Sequence, residues 1–146
     1  MTADKTKVSC PVCGTTNYYP ADAGAKKVAC GRCRSPLSPP GTVLEPSADG
    51  VLALIERSGL PVLLDFHSPS CGPCHMMNPI VERLARRRAG DIAVAKVDVE
   101  SHSELAGRFG VQAVPTFCVF FKGMERGRHQ GAAREEDFSL WVAKLS

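Results

Sequence analysis

Residues 62–88 read VLLDFHSPSCGPCHMMNPIVERLARRR, and they combine a short apolar run, a C-x-x-C pair and a long amphipathic segment. The apolar run at 62–66 predicts a buried strand. Beyond Cys71, apolar residues recur at helical spacing as far as Arg88, so we expect one helix that Pro79 kinks. A C-x-x-C pair between a strand and a helix is typical of redox chemistry.

Regular patterns continue on both sides of this stretch. Ser47 can cap a helix that ends near Gly59. Downstream, the apolar runs 92–99 and 116–121 predict two further strands, and a turn after the second leads into a strand ending near Gln130.

Two more helices are predicted in the C-terminal half. Ser101 followed by Glu104 matches a capping box for a short helix ending near Gly110. The last helix has apolar residues at positions i, i+3, i+4 and i+7, which are Phe138, Trp141, Val142 and Leu145. This alternation of helices and strands predicts an α/β fold, with a mixed central sheet flanked by helices.

The N-terminal segment, residues 1–36, contains a different motif. Its two C-x-x-C pairs are sixteen residues apart, a spacing typical of a zinc ribbon. Because this segment has few apolar residues, we expect one structural zinc ion to hold it together, with Tyr18 and Tyr19 packed over the ribbon. The predicted ligands are the four cysteines Cys10, Cys13, Cys30 and Cys33. Disulfides or a second redox pair are the alternative, which a reducing compartment disfavours.

Three sections of chain are therefore expected. Residues 1–36 would form the zinc-ribbon domain, and residues 47–146 the larger α/β domain. The intervening residues 37–46 would be a linker or a first edge strand, because the prolines around them disfavour helix and continuous sheet.

Composition and charge exclude several classes of protein. Of the 146 residues, 44% are hydrophobic and 23% are charged, and no apolar run approaches the roughly 20 residues that span a bilayer. We therefore expect no membrane contact. The net charge of +3 resides in residues 1–46, and a zinc–thiolate site would reduce it, so no nucleic-acid partner is expected. Residues 1–9 lack an apolar segment, which favours a cytoplasmic location. Cys118 is expected to be a small core residue.

Helix position gives the Cys71/Cys74 pair its chemistry. Free backbone N–H groups at a helix N-terminus stabilise a thiolate, so Cys71 is the expected nucleophile. Cys74, one turn further on, would resolve the mixed disulfide by attacking Cys71.

Several motifs, in order along residues 47–146, resemble the thioredoxin family. They are Asp65-Phe66, Cys71-Gly-Pro-Cys74, Pro79, Lys96 with Asp98, Val114-Pro-Thr116 and Gly131. With the cysteine-rich N-terminus, the chain is similar to the zinc-binding bacterial thioredoxin 2 type. This resemblance implies a monomeric thioredoxin that reduces protein disulfides and is recycled by a thioredoxin reductase.

The same resemblance implies roles for individual residues. Gly72 and Pro73 would complete the redox motif. Asp65 would be a buried carboxylate that moves the proton of Cys74, with Lys96 tuning it; the alternative from the residues alone is an aspartate at a solvated strand end. The substrate-binding residues would be Val114 and Pro115, the latter after a cis peptide bond.

Two positions depart from the family pattern, since His67 and Ser70 stand where tryptophan is usual. Substrate docking is therefore expected to differ. His75, which follows the motif, would either favour the thiolate or be a solvated helix residue. A different class of function also remains open: a zinc-ribbon interaction or redox-sensing protein that uses the larger domain as a scaffold.

Overall fold

The computed structural model describes residues 5–146 and contains seven strands and four helices there. In chain order these are β1 (Lys5–Ser9), β2 (Thr16–Pro20), β3 (Val43–Leu44), α1 (Ala48–Arg57), β4 (Val62–His67), α2 (Gly72–Arg87), β5 (Ala93–Asp98), α3 (Ser103–Arg108), β6 (Thr116–Phe121), β7 (Met124–Gln130) and α4 (Glu135–Leu145). The predicted order of elements from α1 to α4 is confirmed.

The central sheet has five strands in the order β3-β5-β4-β6-β7. β4 is parallel to β5, as expected for strands that a helix connects, and antiparallel to β6. β6 and β7 form a hairpin whose turn residues, Lys122 and Gly123, both have positive φ, as a type I′ turn requires. The predicted mixed α/β fold is confirmed.

Alternation along β4 divides the hydrophobic core between the two faces of the sheet. Leu64 and Phe66 pack with α1 and α3 on one face. Leu63 packs with α2 and α4 on the other. Because side chains alternate along a strand, Asp65 shares the α2 face with Leu63. A carboxylate is thus placed beneath the helix that begins at the redox pair.

The structure corrects the predicted capping box. α3 has His102 at its N-cap position, with no capping hydrogen bond from a side chain. Ser101 instead donates from Oγ to Asp98 Oδ2 at 3.3 Å, because an ionised carboxylate is a strong acceptor for the hydroxyl proton. In the segment 37–46, β3 is the edge strand of the sheet, parallel to β5.

The N-terminal segment has a small sheet and a small core of its own. β1 and β2 are antiparallel, and a hydrophobic cluster forms beside the cysteines. Tyr19 is buried in this cluster. The prediction for Tyr18 was wrong, because successive strand residues point to opposite faces and Tyr18 is 60% exposed.

This segment packs against the beginning of the larger fold. Ser9 Oγ lies 2.7 Å from Ser58 Oγ in a buried hydrogen bond, and Gly59 donates from its backbone nitrogen to Thr16 Oγ1 at 2.9 Å. Both contacts precede β4, whereas Cys71 follows it. A six-residue strand is about 20 Å long, so the ribbon and the redox pair lie at opposite ends of the sheet.

Candidate active site and metal site

The redox pair lies at the start of α2. Cys71 and Cys74 form a disulfide, with their Cα atoms 5.2 Å apart. Cys71 is the N-cap residue, and its Sγ accepts a hydrogen bond from the Cys74 backbone nitrogen at 3.1 Å. Gly72 and Pro73 form the first turn, where a missing proline N–H costs nothing. The free N–H groups of this turn can stabilise a negative sulfur.

The two sulfur-bearing residues differ in exposure. Cys71 is half-buried, whereas Cys74 is 3% exposed. Gly72 and Pro73 between them are exposed. An external disulfide can therefore reach the first sulfur but not the second.

A backbone segment from the start of β6 faces the pair. The Val114 carbonyl oxygen lies 3.7 Å from Cys71 Sγ. The Val114–Pro115 peptide bond is cis, and Pro115 is buried while Val114 is half-buried. The Pro115 carbonyl accepts from the Gly131 nitrogen at 2.8 Å, which links this segment to the end of β7. Val114 thus presents its backbone carbonyl beside the sulfur of Cys71.

Asp65 is a buried carboxylate rather than one at a solvated strand end. It is 1% exposed, and burial raises its pKa to about 7 although the nearby Lys96 charge lowers it. Its Oδ1 has no hydrogen-bond partner among the residues described. Lys96, opposite Asp65 in the register of β4 and β5, donates from Nζ to Asn78 Oδ1 at 2.8 Å. At neutral pH this carboxyl is divided between its two protonation states.

Asn78 was not predicted as part of the site. It lies four residues after Cys74 on α2, so both side chains point to the same side of the helix, towards the sheet. The spacing of four residues from Cys74 is the signal in the sequence that could have placed Asn78 near the site. The contact with Lys96 places the ammonium one helical turn beyond the buried sulfur.

The loop before Cys71 is also held by two side chains that could not be singled out from the sequence, those of Ser68 and Glu100. Ser68, which is 8% exposed, donates from Oγ to Glu100 Oε2 and lies 3.1 Å from Ser70 Oγ. From the other side, His75 Nε2 lies 2.8 Å from the Pro69 carbonyl oxygen. Because a carbonyl only accepts, that ring nitrogen carries a proton and donates it.

His67 ends β4 and is half-buried. Burial and the Lys96 charge lower its pKa below the ordinary value. At neutral pH its imidazole is therefore mostly uncharged, and it offers a smaller and more polar surface than tryptophan would at the same position.

The four N-terminal cysteines converge at one point. Their sulfur atoms all lie within 4.8 Å of one another, and those of Cys10 and Cys33, like those of Cys13 and Cys30, are 3.6 Å apart. A tetrahedron with Zn–S bonds of about 2.3 Å has edges of about 3.8 Å, so the arrangement fits a four-thiolate zinc site.

Backbone and side-chain donors surround these sulfurs. The Val12 backbone nitrogen lies 3.4 Å from Cys10 Sγ, and the Arg32 backbone nitrogen lies 3.4 Å from Cys30 Sγ. Asn17 Nδ2 also lies 3.4 Å from Cys30 Sγ. Burial raises the pKa of Cys10, so a bound metal ion would be what keeps its sulfur ionised. The donor set therefore fits a closed structural site. Cys118, by contrast, is fully buried in the main core.

Comparisons with known proteins agree with this geometry. The family model for thioredoxin matches residues 48–144. Thioredoxin C-3 of Corynebacterium nephridii is 33% identical over 138 residues, which is 92% of this chain and 92% of the relative. Thioredoxin 1 of Nostoc sp. is 34% identical over 87 residues, covering 60% of this chain and 81% of the relative.

A solved structure extends the comparison to the fold. A mutant thioredoxin from Halobacterium salinarum NRC-1 superposes with a TM-score of 0.65 at 31% sequence identity, covering 75% of this chain and 95% of that one. Within residues 5–146, no helix has the length and apolar character that crossing a membrane requires. The family match, the relatives and the disulfide at the start of α2 agree, and the chain belongs to the thioredoxin family of thiol-disulfide oxidoreductases.

Proposed function

We propose that this protein is a disulfide reductase that transfers two electrons to protein substrates through Cys71 and Cys74. The observation that carries the proposal is the difference in exposure within one disulfide at a helix N-terminus. The reachable Cys71 is suited to attack, and the buried Cys74 is suited to resolve.

The reaction begins with the dithiol form. The Cys71 thiolate attacks one sulfur of the substrate disulfide, forming a mixed disulfide and releasing the other substrate sulfur as a thiolate, which takes up a proton. Cys74 then loses its proton and attacks Cys71 Sγ, which frees the second substrate thiol. The protein is left with the Cys71–Cys74 disulfide, and the substrate has gained two electrons and two protons.

Asp65 is the group we assign to the proton of Cys74. It lies on the sheet face that α2 covers, and its pKa of about 7 lets it accept or return a proton near neutral pH. Lys96, held by Asn78, would tune that carboxyl by its positive charge.

Substrate binding would use the Val114 backbone. An extended substrate segment can pair with the backbone groups of Val114, next to Pro115, where the Val114 carbonyl oxygen lies 3.7 Å from Cys71 Sγ. With His67 and Ser70 in place of aromatic residues, we expect substrates to depend on backbone pairing more than on apolar contact. The partners would be disulfide-containing proteins and a thioredoxin reductase in the cytoplasm.

The zinc-binding type is the finer assignment that we propose for the N-terminus. Cys10, Cys13, Cys30 and Cys33 would hold one zinc ion, which supplies charge neutralisation and a covalent-like cross-link to a segment with a small core. This role is structural, since all four positions are occupied by sulfur from the chain.

The proposal is tested by reduction of insulin disulfides with dithiothreitol or with a reductase system as the electron source. We expect the wild-type protein to accelerate insulin reduction and the Cys71→Ser variant to lose that acceleration. Cys118→Ser is the matched control, because its sulfur is buried in the core and takes no part. Equal rates for wild type and Cys71→Ser would leave the scaffold function as the better explanation.

A further inference from the structure

The loop between β4 and Cys71 is tied to the residues that follow β5 by one side-chain and one backbone hydrogen bond. Ser68 Oγ donates to Glu100 Oε2, and the Val99 nitrogen donates to the His67 carbonyl at 2.9 Å. Glu100 itself is exposed, but its backbone is fixed because its nitrogen donates to Asp98 Oδ1 at 2.8 Å. The loop is therefore anchored to a carboxylate in the turn two residues beyond the end of β5.

The direction of each hydrogen bond follows from proton counting. Ser68 has one hydroxyl proton, and an ionised carboxylate can only accept, so that proton goes to Glu100. Ser68 Oγ must then accept from Ser70 Oγ at 3.1 Å and from the Ser70 nitrogen at 3.4 Å. One buried hydroxyl thus fixes both the side chain and the backbone of the residue before Cys71.

The same loop carries the nucleophile's own backbone. The Cys71 nitrogen donates to the Ser68 carbonyl at 3.2 Å, so the position of Ser68 sets where Cys71 begins the helix. That position in turn sets the contact of 3.1 Å between Cys71 Sγ and the Cys74 nitrogen, which is one of the donors available to a thiolate.

We propose that Glu100 is a positioning residue that acts through Ser68 to hold Cys71 against the N–H groups at the start of α2. The hydrogen bonds among Glu100, Ser68 and Ser70 hold the loop in place, since neither His67 nor Ser70 is a large aromatic residue that could do so by packing. The inference rests on the proposed function of Cys71 as the nucleophile.

A simple charge effect makes the opposite prediction, which allows a clean test. If Glu100 acted only through its negative charge, removing that charge would make the thiolate easier to form, and both Glu100→Gln and Glu100→Ala would lower the pKa of Cys71. If Glu100 positions the loop, Gln keeps an acceptor for Ser68 and Ala does not. The two variants then differ.

The experiment measures the rate of iodoacetamide alkylation of Cys71 against pH in the reduced full-length protein. We expect Glu100→Ala and Ser68→Ala to move the midpoint upward and slow alkylation at pH 7 by about threefold, the scale of one lost hydrogen bond. Glu100→Gln should stay within about twofold of wild type. Combining Glu100→Ala with Ser68→Ala should slow the reaction no further, because both remove the same contact.

Glu104→Ala is the matched control, since it removes an exposed carboxylate from the first turn of α3, outside the network. Faster alkylation in both Glu100 variants, or additive effects of the two alanine substitutions, would overturn the positioning role. Because alkylation needs no protein substrate, this test is independent of insulin reduction. If the proposed function were wrong, the wild-type protein would not accelerate insulin reduction, and the alkylation profiles would be unaffected.

Discussion

Lys96 Nζ donates a hydrogen bond to Asn78 Oδ1 at 2.8 Å, even though Asp65 is its direct neighbour in the register of β4 and β5. The Lys96 ammonium thus donates to a neutral amide on α2 and not to the Asp65 carboxylate. Asp65 retains a buried Oδ1 with no hydrogen-bond partner in the described part of the chain, and its pKa is about 7. The pKa of the Asp65 carboxyl therefore lies close to neutral pH, and the carboxyl forms no ion pair with Lys96.

The first prediction concerns stability against pH. The pKa of Asp65 is raised from 3.8 to about 7 in the folded state, so between these values the folded protein binds a proton that the unfolded chain does not. The contribution of Asp65 to stability is then fully present below about pH 4 and is lost as pH rises through about 7, by at most about 4 kcal/mol. Denaturant unfolding of the oxidised protein at pH 5 and pH 8 measures this loss.

Asp65→Asn isolates the contribution of this one carboxyl. The amide has no charge to bury, so the variant should be more stable than wild type at pH 8 and closer to it at pH 5. Parallel stability curves for the two proteins across this range would show that Asp65 is not the group responsible.

A second prediction follows from the hydrogen bond between Lys96 and Asn78. In Asn78→Ala the ammonium loses its amide acceptor, and the nearest alternative on the same sheet face is the Asp65 carboxylate. The pKa of Asp65 should therefore fall. Carbon-13 NMR of the Asp65 carboxyl reports the titration midpoint directly. Met76→Ala, a substitution at an exposed position of α2, should leave that midpoint in place. A midpoint unchanged in Asn78→Ala would mean that Lys96 is held away by other contacts.

Most of the fold could be predicted from the sequence because local patterns and the final packing agree. The apolar run of β4, the amphipathic α2 and the alternation of later elements each satisfy both secondary structure and core. The capping box at Ser101 failed because the carboxylate of Asp98, at the end of β5, competes for the same hydroxyl. Such competition depends on tertiary geometry and cannot be seen in spacing.

The candidate site was only partly predictable for the same reason. The cysteines carry recognisable spacings, but Asn78, Ser68 and Glu100 are ordinary polar residues in the sequence. Their contacts join positions 18 and 32 residues apart, and only the folded sheet brings these together. Tyr18 shows the reverse case, in which an aromatic expected to pack instead faces solvent.

The third prediction concerns the metal. We expect close to one zinc ion per chain, retained in Cys71→Ser and Cys118→Ser and lost in Cys30→Ser. Removing the metal should also loosen the ribbon at its contact with the larger fold. The Gly59 amide, which donates to Thr16 Oγ1, should then exchange its hydrogen faster, whereas the Val99 amide at the opposite end of the sheet stays protected. A full complement of zinc in Cys30→Ser would contradict the assigned ligand set.

The last prediction concerns how the ribbon is fitted to α1. Gly14 has φ +78°, and a Cβ atom there would overlap the Ala53 carbonyl oxygen of α1. Gly14→Ala therefore combines backbone strain of about 1 kcal/mol with overpacking of about 1–3 kcal/mol. Gly24 also has positive φ, +56°, but a Cβ atom added there would meet no other atom within 4 Å, so Gly24→Ala should cost the backbone strain alone.

Comparing the two glycine variants separates docking from local strain, since both introduce the same methyl group at positive φ within the ribbon. We expect Gly14→Ala to lower the free energy of unfolding more than Gly24→Ala, and to speed hydrogen exchange at Gly59, which lies in the same contact surface. Equal losses of stability in the two variants, with Gly59 still protected in both, would mean that the close approach of Gly14 to α1 contributes nothing. The ribbon would then be joined to the larger fold chiefly through Ser9, Thr16 and the chain itself.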